Sequence, residues 1–270
     1  MRVVVTDALV SRVVELENEN LIARLSAYAG RPGNPAGVEV RRFGRAVACM
    51  AAKIESRFYN SVLGVGPETI EDLPAILEHY AAHGVSPAFE VVPGRLTEPL
   101  GAALAAHGFR MVEFHAALVA TLGPEDAGPP AIPEGMRIVE GDFDAYLETY
   151  LATGHEGGAG DEARANLETW RHVPGWRFFV CEVEGAPVGA AILDVQGEGA
   201  LLSSSATLPA HRGRGVQGAL LRWRRAAAAA AGCDLVVGGA YWGSPSLRNH
   251  QREGMVTAFT RGVWVKSGGL

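Results

Sequence analysis

The sequence predicts an α/β (α+β) chain of two tandem domains, each a mixed sheet flanked by helices. Three observations carry this expectation. The chain has 270 residues, with 48% apolar and 20% charged side chains, enough to bury a core in each of two domains of ordinary size. One order of elements occurs twice: hairpin, strand, long helix, strand, short helix, a glycine followed by a large apolar residue, and a strand. His107-Gly108-Phe109 in the first half answers Glu253-Gly254-Met255 in the second. Between the halves lies a proline- and glycine-rich stretch at 122–133, the composition of a linker. The expected division is 1–123, a linker at 124–135, and 136–270.

Each element has its own signal. Thr6 or Asp7 caps a helix running to about Ala29, with Leu9, Val13, Leu16, Ile22 and Leu25 on one stripe. Two strands follow, Val38–Arg42 and Ala46–Ala51, joined by a turn at Phe43-Gly44-Arg45. Phe58–Val65 reads as a strand. Thr69–His83 reads as a helix capped at Thr69 with Asp72 three residues on. Ala88–Val92 is a strand, Glu98–His107 a helix closed by Gly108, and Glu113–Thr121 a strand. In the second half Arg137–Val139 is a strand, followed by helices near Asp142–Thr153 and Glu162–His172. Phe178–Glu184 and Val188–Val195 form a hairpin, and Ala200–Leu208 is a strand. Val216–Ala231 is a helix ended by Gly232. Leu235–Ala240 is a strand, Ser246–Glu253 a helix and Val256–Lys266 the last strand.

The formal net charge of −6 argues against a nucleic-acid partner, since duplex binders present basic surfaces. The same balance suits a cationic substrate such as an amine. Cys49, Cys181 and Cys233 stand apart from one another, as buried thiols in a reducing compartment do. The start of the chain lacks the pattern of a signal peptide, and no apolar run reaches the length of a membrane span. The expected location is the cytoplasm, without a membrane partner; a homodimer is compatible with the sequence.

The segment Ser205-Ala-Thr-Leu-Pro-Ala-His-Arg-Gly-Arg-Gly-Val-Gln-Gly-Ala-Leu-Leu carries the chemistry. A strand ends at Leu208, and Pro209 stops its ladder. Gly213 and Gly215 let the backbone take positive φ and approach a ligand closely. The helix that opens at Val216 presents N–H groups without internal partners, and these favour an anion. Arg212 and Arg214 add charge. Charge-assisted hydrogen bonds contribute about 1.5–3 kcal/mol each against about 0.3–1 for the helix dipole, so the oriented N–H groups dominate.

With those residues the second half, about Met136 to Lys266, resembles the GNAT superfamily of N-acetyltransferases. That family's phosphate loop reads Arg/Gln-x-x-Gly-x-Gly/Ala. Arg212, Gly215 and Gln217 occupy its three positions, and Gln217 departs from the usual small residue. It either crowds the cradle or donates its amide to a phosphate. The resemblance implies a mostly antiparallel, twisted sheet with a splayed central pair of strands. It also implies acetyl-CoA as cosubstrate and a small-molecule primary amine as acceptor. The CoA contacts would come from Ala206, Thr207 and Leu208 along the pantetheine arm, and from Arg212, Gly213, Arg214, Gly215, Val216, Gln217 and Gly218 at the diphosphate. Ser246 and Asn249 would complete them. His250 stands where members often carry a tyrosine that protonates the leaving thiolate, and is the expected general acid. The backbone near Ala206 would stabilise the oxyanion. For the general base only Glu182 and Asp194 offer themselves, both equally readable as edge or surface charges. The segment Thr153–Asp161, with Glu156, would shape the acceptor pocket. The first half resembles the same fold more faintly, as a degenerate copy. Its loop Gly64-Val-Gly-Pro-Glu-Thr-Ile lacks an arginine, Pro67 lacks an N–H, and Glu68 repels phosphate, so no CoA is expected there.

Other readings remain beside these. Gly213-x-Gly215-x-x-Gly218 also spells the dinucleotide fingerprint, although Pro209-Ala-His-Arg separates it from the strand and Gly238-Gly239 ends the next strand where an acid is needed. A CoA-binding sensor without catalysis fits the same loop. His79 and His83 have the spacing of a metal pair on a helix, but Tyr80 replaces the glutamate of the zinc-protease motif and no third ligand is evident, so no metal is expected. Arg222, Arg224 and Arg225 read as a solvated helix face, and Trp223 with Ala226–Ala231 as its packing face.

Overall fold

The computed structural model describes residues 3–154 and 160–266. The described chain orders α1 (Asp7–Ala29), β1 (Val38–Phe43), β2 (Ala46–Ala51), β3 (Ser61–Leu63), α2 (Thr69–Ala81), β4 (Ala88–Val91), α3 (Glu98–Ala106) and β5 (Phe109–Thr121). There follow β6 (Met136–Glu140), α4 (Phe143–Ala152), α5 (Asp161–Glu168), β7 (Trp176–Val183), β8 (Ala186–Gln196) and β9 (Gly199–Thr207). The last elements are α6 (Val216–Ala230), β10 (Leu235–Tyr241), α7 (Pro245–Arg252) and β11 (Val256–Lys266). The α/β class and the mixed, mostly antiparallel sheet match the sequence reading.

Two compact units emerge, and they are not the contiguous halves 1–123 and 136–270. One comprises Met1–Asn20 and Ala117–Ala258, the other Leu21–Ala116 and Phe259–Leu270. The final strand β11 pairs antiparallel with β4, Gly262 opposite Val91 and Val265 opposite Ala88, and so completes the unit built from the first half. The end of β5 goes the other way: the Leu122 N–H donates to the Asp234 carbonyl at the start of β10. Both strands follow a glycine and a large apolar residue at the same place in the duplicated order. The local cue therefore does not say which sheet each strand completes.

The stretch 124–135 is not a free linker. Pro124–Ala127 forms a short 3-10 turn, the Ala131 carbonyl accepts from Arg222 Nε at 2.9 Å, and Pro133 lies against Gly215. Proline-rich composition marks extended backbone as readily as flexibility.

In the larger unit the order is β5, β10, β9, β8, β7, β6. Residues Val188 to Asp194 of β8 are buried in succession, the pattern of a strand covered on both faces, and α4 and α6 both pack against it. The part of α1 up to Asn20 is tied to the same sheet. Arg12 pairs with Asp234, the Leu16 carbonyl accepts from Gln196 Nε2 at 3.1 Å, and Asn20 Nδ2 donates to Asp194 at 2.7 Å.

In the other unit the order is β1, β2, β3, β4, β11, β5. Met50, Val62, Leu73, Ile76, Tyr80, Phe89 and Leu104 form its core. The Tyr80 hydroxyl donates to the Cys49 carbonyl at 2.6 Å. The strand expected at Phe58–Val65 shortens to Ser61–Leu63 because Asn60 closes a local turn, its Nδ2 donating to the Ile54 and Ser56 carbonyls at 3.0 Å each. The cap expected at Thr69 also differs. Glu68 is the N-cap and provides no side-chain bond, while Thr69 Oγ1 accepts from the Gly66 N–H at 3.0 Å.

All three cysteines are buried free thiols; burial pushes Cys49 up to about 12 and Cys181 up to about 11.

The arginines of α6 correct the reading of a solvated face. Arg224 is 1% exposed. Its Nη1 donates to the Ile192 carbonyl at 2.8 Å and the Ser203 carbonyl at 3.3 Å, and its Nε to the Leu220 carbonyl at 3.1 Å. Burial lowers its pKa to about 9. Arg222 pairs with Glu253 at 2.6 Å, and Arg225 donates to the Glu253 carbonyl. The carbonyls explain the change: a distorted strand has acceptors that no ladder satisfies, and a buried guanidinium answers several at once. Replacing Arg224 by Met strands those acceptors, and urea unfolding should show a loss of about 3 kcal/mol; an unchanged midpoint would contradict this role.

Candidate functional site

The site begins with a failure of pairing. Strands β9 and β10 run parallel, in register from Gly199 opposite Leu235 to Leu202 opposite Gly238. Beyond that row β9 continues to Thr207 and β10 to Tyr241 without pairing to each other. The divergence coincides with a distortion in β9. Its register with β8 shifts between Ala190 and Ile192, which leaves an extra residue in β9. Ser204 there adopts φ 39°, unusual for a residue other than glycine. Arg224 fixes the carbonyls of Ile192 and Ser203, the facing pair that borders the shift.

The helix α6 opens beside this gap. Gly215 is its N-cap at φ 87°, with no side-chain cap, and Gly213 has φ 76°. Among the described residues, the backbone N–H groups from Gly213 to Gly218 have no protein partner. Their first neighbour in the chain, the Arg212 N–H, donates to the Pro209 carbonyl at 3.3 Å. A cleft of about 740 Å³ lies in front of them. Orphan donors at a helix start that face open space form an anion cradle.

Of the residues expected to hold a cofactor, Ala206, Thr207, Arg212, Gly213, Gly215, Val216, Gln217 and Gly218 line this cleft, and so do Ser246 and Asn249 of α7. Leu208 and Arg214 are not among the lining residues. The Gln217 amide is engaged on both sides within the protein. Its Oε1 accepts from Ser205 Oγ at 2.7 Å and its Nε2 donates to Thr207 Oγ1 at 2.9 Å. It ties the end of β9 to the first turn of α6. Gly218 is small because of α7: a Cβ there would meet Glu253 Oε1 at 2.7 Å.

Sequence reasoning missed His211, Arg248 and Arg252, which also line the cleft. The signal was present in the i, i+4 spacing of the two arginines, which puts both on one face of α7. Arg248 donates to the Gly243 carbonyl at 2.6 Å and Arg252 to Asn249 Oδ1 at 3.1 Å.

The expected catalytic residues fall elsewhere. His250 is 7% exposed and does not line the cleft. Its Nδ1 lies 2.8 Å from the Ser246 carbonyl, which assigns that nitrogen the proton. Its Nε2 faces Gly238, the last paired residue of β10, so closely that a Cβ there would sit 2.6 Å away. Burial, with the nearby Arg224, lowers its pKa despite the Ser246 contact. The ring is therefore neutral, with a bare Nε2.

Asp194 is 3% exposed, opposite Leu201, which is about 16 Å along β9 from Ala206 at strand rise. It accepts from Asn20 and Gln196, both at 2.7 Å. Glu182 pairs with Arg137 at 2.6 Å. The structure thus gives Asp194 and Glu182 other work, and neither reaches the cleft. Within the segment 153–161, Glu156 and the rest of 155–159 lie outside the described residues.

The Acetyltransferase (GNAT) family model matches residues 143–255. That segment is a GNAT acetyltransferase domain. The fold extends beyond it. A GCN5-related N-acetyltransferase from Kribbella flavida superposes with a TM-score of 0.67 at 19% identity, covering 92% of this chain and 96% of its own. One from Sphaerobacter thermophilus gives 0.61 at 17%, covering 93% and 91%. A tandem GNAT protein from the clavulanic acid biosynthesis pathway gives 0.60 at 16%, covering 93% and 94%. No curated protein matches the sequence.

The neutral His250 has a measurable consequence. Its folded pKa lies below the unfolded value of about 6.5, so the unfolded state takes up protons first, and stability falls as pH drops below that value. Replacement of His250 by Gln should flatten the fall in melting temperature between neutral pH and pH about 5. An equally steep fall in the variant would contradict the assignment.

Proposed function

We propose that this GNAT protein is an acetyl-CoA-dependent N-acetyltransferase (an EC 2.3.1 type enzyme) that transfers an acetyl group to a primary amine of a small molecule. The observation that carries the reading is the run of unpartnered N–H groups from Gly213 to Gly218, set beside the unpaired edge of β9. The cradle and the cleft fit a diphosphate attached to an extended thioester arm. The cosubstrate supplies an activated acetyl thioester, which a free amine attacks directly.

The chain's own residues divide the remaining tasks. The N–H groups of 213–218 hold the diphosphate. His211, Arg212, Arg248 and Arg252 bring donors and positive charge to the mouth of the cleft, which supports a polyanionic cosubstrate. The edge of β9 from Ser203 to Thr207 offers backbone groups to the pantetheine arm in the manner of an added strand. A backbone N–H near Ala206 faces the developing oxyanion. A thiol of ordinary pKa about 8.5 leaves without a dedicated acid. This agrees with a neutral His250, whose place in the mechanism is to pack the apex of the gap.

The first half is read as silent toward CoA. Its equivalent loop spends the Gly66 N–H on Thr69, Arg95 covers Gly66, and Glu68 is paired with Arg95. A reducing cytoplasm as the site of action accords with three free thiols. No helix among the described residues is long and apolar enough to cross a membrane.

The test is release of free CoA from acetyl-CoA across a panel of primary amines. Turnover with at least one amine is expected; CoA binding without turnover of any would favour a sensor. Protection by a nicotinamide dinucleotide instead of CoA in thermal melts would sink both. Loss of one charge-assisted contact is worth about 1.5–3 kcal/mol. Arg212→Ala should therefore weaken CoA binding about 10–100-fold in calorimetry with an unchanged circular dichroism spectrum. Affinity within experimental error of the parent would contradict the cradle.

A further inference from the structure

The unit built from the first half holds a cluster that the acyltransferase reading does not use. His79 sits in the last turn of α2, and His83 follows in the turn that ends at Gly84. Across from them, β1 presents Glu39. The ligand-capable atoms of the three side chains lie within 4.8 Å of one another. His83 Nε2 is 3.0 Å from Glu39 Oε1, and His79 Nε2 is 3.9 Å from Glu39 Oε2. The third ligand that the sequence failed to show arrives from a strand forty residues earlier in the chain.

We propose that Glu39, His79 and His83 bind one divalent transition-metal ion of the zinc type. Two imidazoles and a carboxylate are the donor set such ions favour, with a water completing a tetrahedron.

Three features distinguish this from an ordinary surface ion pair. The His79 side chain is 5% exposed, and its Nε2 is buried without a hydrogen-bond partner. Native interiors rarely tolerate such an atom without a reason. The His83 Nδ1 lies 3.0 Å from the His79 carbonyl. That contact gives Nδ1 the proton and leaves the Nε2 lone pair aimed at Glu39, the outer-shell bond that orients metal-binding histidines. Finally, the cluster stands at the C-terminal end of α2, where a cation is favoured.

A tetrahedral ion with bonds of about 2.0–2.1 Å spaces its ligand atoms about 3.3 Å apart. The present separations approach that value, and Glu39 and His83 are both exposed enough to rotate inward. Besides Glu39, the charges that act on His79 are those of Arg41 and His83. The Arg41 guanidinium lies 4.9 Å from the centre of the Phe43 ring. Metal bound here fastens strand β1 to the end of α2.

The test uses the full chain, stripped with a chelator and titrated with zinc chloride by calorimetry. One equivalent should bind, raise the melting temperature, and shift the imidazole resonances of His79 and His83 in proton NMR. Glu39→Gln and His83→Gln alter exposed side chains and should each weaken binding beyond the roughly 10–100-fold expected for an outer-shell change. Absence of binding at large excess of zinc, unchanged resonances of the two histidines, or equal binding by either variant would each overturn the site.

Discussion

The site depends on one constraint: a helix must begin where two parallel strands have just parted. Leu202 opposite Gly238 is the last row of β9 and β10. Past it, the edge of β9 and the first turn of α6 both expose backbone groups that secondary structure leaves unsatisfied. Such groups are costly when buried, so an open cleft is their stable setting. The same groups give the cleft its chemistry, since oriented N–H donors select an anion and an unpaired strand edge selects an extended chain.

Keeping that arrangement open requires rigid support, and most of it comes from side chains rather than from the ladder. Arg224 answers the carbonyls on both strands at the β9 distortion. Gln217 ties Ser205 and Thr207 to α6. Glu253 holds Arg222 through its carboxylate and Arg225 through its carbonyl, which fixes α7 against α6. His250 fills the space above Gly238. Each contact engages the frame of the cleft and leaves the donors of 213–218 untouched. A preorganised cradle of this kind avoids reordering its dipoles when a ligand arrives.

The sequence made the local elements readable because their signals are local. Val216–Ala230 has an alanine-rich helical core bounded by glycines, and Val256–Lys266 ends on the residues predicted. The phosphate loop was legible for the same reason: its glycines, arginine and following helix are contiguous. What stayed hidden depends on distant partners. Arg224 reads as a surface residue until the distorted strand beneath it is known. Asp194 reads as a candidate base until Asn20, from a helix at the other end of the chain, takes its carboxylate. The extent of each unit stayed hidden because β5 and β11 follow equivalent sequence cues, and only pairing decides which sheet each completes. Glu39 is invisible as a partner of His79 and His83 because no spacing rule links a strand to a helix forty residues on.

The central claim is that the backbone amides opening α6 hold the diphosphate of CoA. Amide hydrogen exchange, followed with and without CoA, reads those groups directly. The account predicts fast exchange at Gly213 through Gly218 in the free protein and marked slowing when CoA is bound, with β1 and β2 unchanged. Saturating CoA that leaves those six amides as fast as before, or protects a different segment in their place, would contradict it.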